Sequence, residues 1–443
     1  MANDYPRILL RDLDIPDIGK YEVYAKNGGY EGLRKALSMA PDEVTNLVKD
    51  SNLRGRGGAG FPTGLKWSFI AKGQMDKYVV VNADESEPGT FKDRQLLEKN
   101  VHQVIEGALI CAYAIQAKAV YIYVRGEFWD LGYNIEAEIE EARKANWVGS
   151  NIGGSNWHCD VFVHWGAGAY ICGEESAMLN SIEGKLGQPR VKPPFPALKG
   201  LYDSPTVINN VETLANVPPI LVNGAAWFKS IGTEKSPGTK IFCMSGHVEK
   251  PGNYELPLGI TFRELLEVAG GVRGGKQLKA ILPSGASGPL LPATEQVLNT
   301  KLTYEDVAAV GSVLGSASVI LMDDSTDMVY AAYKMIKFFR HESCGKCTPC
   351  REGTYWLEQR LSAIYHKKAT PNDVKLIEDV ARQMLGKSLC ALGDFATSPV
   401  MSALKYWRDE FLAYVEQPKA GTKSAAAPKP AANKAAVGAH VAD

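Results

Sequence analysis

No apolar run in this chain approaches the roughly 20 residues that a membrane-spanning helix needs, so a helical integral membrane protein is excluded. A surplus of one charge is missing too. The 49 basic and 50 acidic residues leave a formal net charge of −1, whereas a nucleic-acid-binding protein would normally be basic. Histidine is scarce, at 7 residues. Only His341 falls near a motif, and no Ser–His–Asp or Cys–His nucleophile arrangement stands out. The opening stretch Met-Ala-Asn-Asp-Tyr-Pro-Arg has neither the apolar core of a signal peptide nor the Arg-rich pattern of a transit peptide, so no leader is expected. Cysteine is sparse, with 8 in 443 residues and no dense framework. That usage points to a reducing compartment, with thiols serving as ligands or core residues.

Half of those cysteines carry most of the information. Cys344, Cys347 and Cys350 form a C-x-x-C-x-x-C run, and Cys390 follows at a distance. Three thiolates on one tight turn plus one remote thiolate is the ligand pattern of a [4Fe–4S] cluster. Zinc sites usually come as two separated ligand pairs, and four metal-free buried thiols would sit poorly among Gly, Lys, Thr, Pro and Arg. Gly345 lets the backbone bend around the sulfurs. Lys346 and Arg351 either offset cluster charge or are solvated surface charges. Cys111, Cys159, Cys172 and Cys243 lie in apolar surroundings and read as small core residues.

The length allows two to four domains. Residues 1–239 are expected to form an N-terminal segment and an α/β layered domain with a largely parallel sheet. Strands are expected at Tyr78–Val81, Ala119–Val124 and Asp160–Trp165. Helices are expected near Pro41–Lys49 and over Asp93–Ile115, Trp129–Ala145 and Glu174–Glu183. Residues 240–327 read as a small mixed domain of short β-rich runs with one helix near Thr261–Ala269. Residues 328–417 read as a helical bundle over Met328–Phe339, Trp356–Tyr365, Pro371–Leu385 and Pro399–Val415, holding the cluster cysteines. The Ala/Lys/Pro-rich residues 418–443 cannot bury a core and are expected to be disordered.

Two glycine loops follow from this layout. Gly55 to Gly60 spells G-x-G-x-x-G, yet the residues before it look helical, so the ordinary dinucleotide fingerprint is rejected. Its glycines still allow backbone N–H groups to approach a phosphate or a flat ring. Lys66 adds a positive charge nearby. Phe61 and Phe69 either stack on a base or pack in the core. The second loop, Gly166–Gly173, joins a strand to a helix that opens with Glu174 and Glu175. That is the usual mouth of an α/β ligand site. The two carboxylates either complement the helix dipole or accept from ribose hydroxyls. Asn82, Asp84, Glu85, Ser86 and Glu87 follow the first strand, in the usual ligand position. Asn209, Asn210 and Thr213 form another polar cluster, with a helix N-cap as the plain alternative.

Together Arg54–Trp67, Asn82–Thr90, Gly166–Glu175 and Glu342–Thr354 resemble the flavin- and NADH-binding component of respiratory complex I, often called its F subunit. The resemblance covers about residues 20 to 415 and several long motifs in order. It implies a Rossmann-like FMN domain, a ubiquitin-like β-grasp domain and a helical bundle holding the [4Fe–4S] cluster through Cys344, Cys347, Cys350 and Cys390. It further implies FMN contacts at Gly55, Arg56, Gly57, Lys66, Asn82, Asp84, Glu85, Ser86, Gly168, Tyr170, Gly173, Glu174, Asn209, Asn210 and Thr213. Glu87 and Glu175 would contact the nicotinamide and ribose of NADH as the catalytic-site pair. Phe61, Phe69, Lys192 and Phe195 would hold the adenine end.

The implied activity is NADH dehydrogenation, with electrons passed toward quinone. Implied partners are a thioredoxin-like [2Fe–2S] subunit and a large iron–sulfur subunit. Membrane association would be indirect, on the cytoplasmic face of a bacterial inner membrane. Diaphorase subunits of NAD-linked hydrogenases and formate dehydrogenases are the near alternative. Many of those carry an additional thioredoxin-like domain or ferredoxin modules with more cysteines, so the respiratory reading is preferred. A scaffold protein with a structural metal would leave the Glu and Asn clusters at the strand ends unexplained.

Overall fold

The structure is a computed structural model that describes residues 5–73 and 75–415. The expected disordered tail at 418–443 lies outside the described residues. Four parallel strands form the first sheet: β1 Tyr78–Ala83, β2 Ala119–Val124, β3 Asp160–Trp165 and β4 Thr206–Asn210. Their spatial order is β3-β2-β1-β4. The apolar runs Val79–Val81 and Ala119–Val124 are what a parallel strand covered on both faces requires. Side chains alternate between two cores. Val79, Val81, Ile122 and Val124 face helices Val101–Ile115 and Trp129–Lys144. Tyr78, Val80 and Tyr123 face helix Glu175–Ile182, in a core that runs on into the C-terminal bundle. One continuous core therefore joins the second face of the parallel sheet, helix Glu175–Ile182 and the bundle.

The chain leaves β1 toward β2 and β3, and then returns to the other side of β1 as β4. Crevices at such reversals, outside the carboxyl ends of the strands, are where open α/β sheets bind ligands. Asn82 on β1 lies in register with Asn210 on β4, so both sit at the mouth of that crevice.

The second sheet has the order β6-β5-β9-β7-β8, from β5 Thr239–Gly246, β6 Gly252–Pro257, β7 Leu278–Ala286, β8 Leu291–Pro292 and β9 Ser318–Asp323. β5 and β9 pair in parallel and the other pairs are antiparallel. Helix Phe262–Val268 starts at a capping box in which Thr261 and Glu264 satisfy one another's backbone N–H groups. Helices Glu295–Leu298 and Tyr304–Ala309 complete this unit. Helices Met328–Glu342, Thr348–Tyr365, Pro371–Met384 and Leu392–Val415 form the bundle.

Three expected helices differ. The span Asp93–Ile115 is two helices, Lys92–Lys99 and Val101–Ile115, broken at Asn100 (φ −145°, ψ 54°). Asn100 donates its side-chain amide to Gln103 Oε1, and Asn competes with the helix backbone in this way. The helix expected from Trp356 begins at Thr348, with Pro349 in its first turn, where a missing N–H is harmless. The helix expected from Pro399 begins at Leu392 and carries Pro399 in its interior. Helices Tyr21–Lys26 and Glu31–Leu37 add to the one expected before residue 50.

Candidate functional site

A cleft of about 530 Å³ opens at the β1–β4 crevice. That volume is within the usual range for a cofactor site. Gly57, Asn82, Asp84, Glu85, Ser86, Glu87, Tyr170, Gly173, Glu174 and Asn210 all line it. The glycine positions are sterically required. A Cβ on Gly57 would stand 2.8 Å from Asn210 Cβ, and one on Gly173 would stand 3.2 Å from Asp84 Oδ2. Glycine thus lets the loop backbone pack closely against Asn210 and Asp84 at the cleft wall.

The acidic residues after β1 have different tasks. Glu85 accepts from the N–H groups of Asp93 (2.6 Å) and Arg94 (2.8 Å), so it caps helix Lys92–Lys99. Burial, reinforced by Asp93, pushes its carboxyl up to about 8. Asp84 is buried and accepts from Ser86 Oγ. Burial pushes it up to about 7, against the pull of Ser86 and Arg125. Glu87 accepts from Tyr170 Oη at 2.7 Å and from Ser287 N at 2.9 Å. Burial pushes it, too, up to about 7.

Glu174 is the N-cap of helix Glu175–Ile182, accepting from Ser176 N and Ala177 N at 2.9 Å. Lys192 Nζ lies 3.0 Å from Glu174 and 2.7 Å from Glu175, and Lys66 Nζ lies 3.3 Å from Glu175. Burial alone would raise Glu175, but the two lysines outweigh it and hold the carboxylate below its ordinary range. Glu175, Lys66 and Lys192 stand beside the cleft, joined to it through Glu174. Phe61 and Phe69 are exposed and face one another with ring centres 6.2 Å apart, and Phe195 is exposed as well. None of the three is packed in the core.

Other expected contacts stand behind the lining. Arg56 is fully buried, and its guanidinium donates to Arg54 O and Pro237 O. Thr213 Oγ1 accepts from Arg56 N at 2.8 Å. Asn209 Oδ1 accepts from the Trp67 indole at 2.8 Å. These groups hold the glycine loop and β4 in place. Gly55 and Gly168 also lie outside the lining; a Cβ on Gly168 would meet Glu127.

Several lining residues were not anticipated. Lys92 and Asp93 form the floor. Lys92 pairs with Asp93 at 2.7 Å and with Glu212 at 2.9 Å, all fully or nearly fully buried. Ser287, Tyr304 and Val313–Ser316 arrive from the second sheet's domain. Their sequence neighbourhoods carry no ligand motif, because only the tertiary fold brings them to β1.

Cys390, Ala391, Leu392 and Phe395 line the same cleft from the bundle. All eight cysteines are free thiols, and Cys111, Cys159, Cys172 and Cys243 are buried as expected. Gly345 takes φ +76°, the bend that lets the run Cys344–Cys350 fold back. Cys347 occupies the position just before helix Thr348–Tyr365, and its Sγ accepts from Leu389 N at 3.3 Å. Cys350 Sγ lies 3.2 Å from Ser343 Oγ. Lys346 donates to Pro189 O at 2.6 Å and Arg351 to Gly345 O at 2.8 Å, so both cations pin the turn.

Among the described residues, no three His, Cys, Asp or Glu side chains converge tightly enough to hold a single ion. Ser388 Oγ is buried without a partner beside Gly393 and Cys350, a donor available to a cluster sulfur. Burial raises the Cys350 thiol and pushes Cys390 up to about 11, so these sulfurs become thiolates when a metal displaces their protons.

A parallel-sheet crevice lined by glycines and carboxylates, with a four-thiol bundle forming one wall, defines the class of flavin and iron–sulfur oxidoreductases. Comparison with known proteins agrees. Residues 48–219 match the family model described as the Nuo51 FMN-binding domain, and residues 330–414 match the NADH-ubiquinone oxidoreductase-F iron–sulfur binding region. Residues 241–289 match the SLBB domain. The NADH-quinone oxidoreductase F subunit numbered 2 in Rhizobium meliloti (strain 1021) is 52% identical over 413 residues, covering 93% of this chain and 98% of that protein. The corresponding F subunit of Streptomyces coelicolor (strain ATCC BAA-471 / A3(2) / M145) is 53% identical over 391 residues, 88% of this chain and 87% of that protein. The solved NAD+-reducing [NiFe]-hydrogenase in its H2-reduced state superposes with a TM-score of 0.83 at 36% identity, over 94% of this chain and 68% of that one. This chain belongs to the family of NADH-quinone oxidoreductase F subunits.

Proposed function

We propose that this chain takes electrons from NADH at the β1–β4 cleft and passes them through the Cys344–Cys390 cluster to partner iron–sulfur proteins, toward quinone. One observation carries the reading: Cys390 lines the cleft that Asn82, Asp84 and Glu87 also line. FMN, when bound, supplies the change from two-electron to one-electron transfer. The protein's own residues bind and orient. Gly57, Asn82, Asp84, Ser86, Tyr170, Gly173, Glu174 and Asn210 would hold the flavin. Gly55, Arg56, Lys66, Glu85, Gly168, Asn209 and Thr213 would support them. Glu87 and Glu175 would accept from the nicotinamide and ribose end of NADH, with Phe61, Phe69, Lys192 and Phe195 at the adenine end. Holding the nicotinamide against the flavin in reacting geometry is the main catalytic contribution.

The partners we infer are a thioredoxin-like [2Fe–2S] subunit and a large iron–sulfur subunit. No helix among the described residues is long and apolar enough to cross a membrane, so attachment to the cytoplasmic face would run through those partners. The likeness to a NAD+-reducing hydrogenase supports a second reading, electron exchange with a hydrogenase module. Washing membranes with chaotrope separates these ideas. The released fraction is expected to reduce ferricyanide with NADH, and quinone reduction to need the membrane assembly. Full quinone reductase activity from the purified chain alone would refute the relay. Hydrogen-dependent NAD+ reduction in the released fraction would favour the second reading.

A further inference from the structure

Two contacts reach the cleft from the second sheet's domain. At the first, Ser287 N, in the turn between β7 and β8, donates to Glu87 Oε1 at 2.9 Å. At the end of β7, Gly285 has φ +70°, and a Cβ there would stand 2.6 Å from Glu87 Oε1 and 2.5 Å from Pro88 O. A backbone donor cannot rotate away, so with Tyr170 on Oε2 the carboxylate has one fixed orientation. At the second contact, Tyr304 Oη donates to Gly55 O at 2.7 Å. A Cβ on Gly60 would press into the Tyr304 ring at 2.7 Å. The Arg54 guanidinium lies over the same ring, 4.1 Å from its centre, and pairs with Glu305 at 3.0 Å. A loop rich in glycine loses much entropy on ordering, and it has few side chains with which to order itself. Tyr304 supplies that order from outside.

We infer that the second domain is the positioning half of this site: its Gly285–Ser287 turn aims the Glu87 carboxylate at the nucleotide, and Tyr304 shapes the glycine loop against the flavin. The inference rests on the cleft taking FMN and NADH. Neither Gly285 nor Tyr304 has to touch the reacting atoms; each acts through a neighbour.

The test uses the full chain with flavin and cluster. Gly285→Ala is expected to raise KM for NADH about tenfold, with FMN content and cluster EPR at wild-type levels. In a Glu87→Ala background the same change should add less than about twofold, because coupled neighbours are non-additive. Additive effects would overturn the inference. Where Gly285→Ala yields no folded protein, Tyr304→Phe decides, since the ring stays and one hydroxyl goes. Loss of that hydrogen bond should weaken FMN binding about five- to tenfold, while KM for NADH at saturating FMN stays unchanged and the unfolding midpoint of flavin-free protein falls only by the loss of one hydrogen bond. An unaltered FMN affinity would overturn it. A wild-type chain that takes up neither FMN nor NADH fails the cleft reading itself, before any variant is made.

Discussion

The phenol of Tyr170 donates a hydrogen bond of 2.7 Å to Glu87 Oε2, tying the loop after β3 to the loop after β1. Glu87 is thereby held at the cleft with a carboxyl raised to about 7 by burial. Below that pH it is protonated and accepts poorly; above it, the charged form accepts strongly. For the wild-type protein, kcat/KM for NADH should therefore rise with pH through about 7 and then level off. Glu87→Gln should flatten that limb and lower kcat/KM by about ten- to a hundredfold, the cost of a charge-assisted hydrogen bond. FMN content should be retained. Equal losses of flavin and nucleotide binding would move Glu87 out of the NADH site.

Lys192 joins Glu174 and Glu175, and Lys66 reaches Glu175 from the other side. In Lys192→Met, only Lys66 remains to oppose burial, so the Glu175 carboxyl should titrate at higher pH. The expected result is a KM for NADH that climbs, as pH is lowered, at a higher pH in the variant than in wild-type protein. A pH-independent change in KM would mean that Lys192 contributes bulk alone.

Cys347 is fixed twice: its carbonyl accepts from Arg351 N at 2.9 Å in the first turn of helix Thr348–Tyr365, and its Sγ accepts from Leu389 N. Cys347→Ser should abolish the EPR signal of a reduced [4Fe–4S] centre and lower iron content, while FMN stays bound in the neighbouring domain. Stoichiometric zinc without iron in wild-type protein would contradict the cluster assignment.

Glu212 is fully buried between Lys92 at 2.9 Å and Lys240 at 2.5 Å, and it accepts from Ile241 N at 2.9 Å. Glu212→Ala leaves two buried ammonium groups with one fewer counter-charge. Such a loss costs about 3–5 kcal/mol, which should appear as a large fall in the urea midpoint at neutral pH. A shift of less than about 1 kcal/mol would show that water or Asp93 takes over the charge.

Local chemistry was legible in the sequence. The C-x-x-C-x-x-C run, the alternating strands and the carboxylates after Val81 all point to their elements through spacing alone. The order β3-β2-β1-β4 was not legible, because adjacent strands leave no mark on one another's sequence. The distinction between Glu85, a lining residue whose carboxylate is taken up in capping a helix, and Glu87, whose carboxylate is held by Tyr170 and Ser287, needed coordinates, since they stand two residues apart in one acidic stretch. Arg56, an FMN contact implied by the resemblance, is buried behind the lining, with its guanidinium donating to Arg54 O and Pro237 O. Ser287 and Tyr304 come from a domain whose residues carry no ligand pattern.

Cys390 belongs to the wall of the flavin cleft as well as to the thiol set. On the proposed reading, one residue both ligates the cluster and faces the flavin, so the inner step passes between fixed positions and needs no swinging arm or hinge. Nucleotide exchange remains the event that requires diffusion and side-chain rearrangement. Turnover should then be governed by product departure, as in many evolved enzymes, and should slow as solvent viscosity rises.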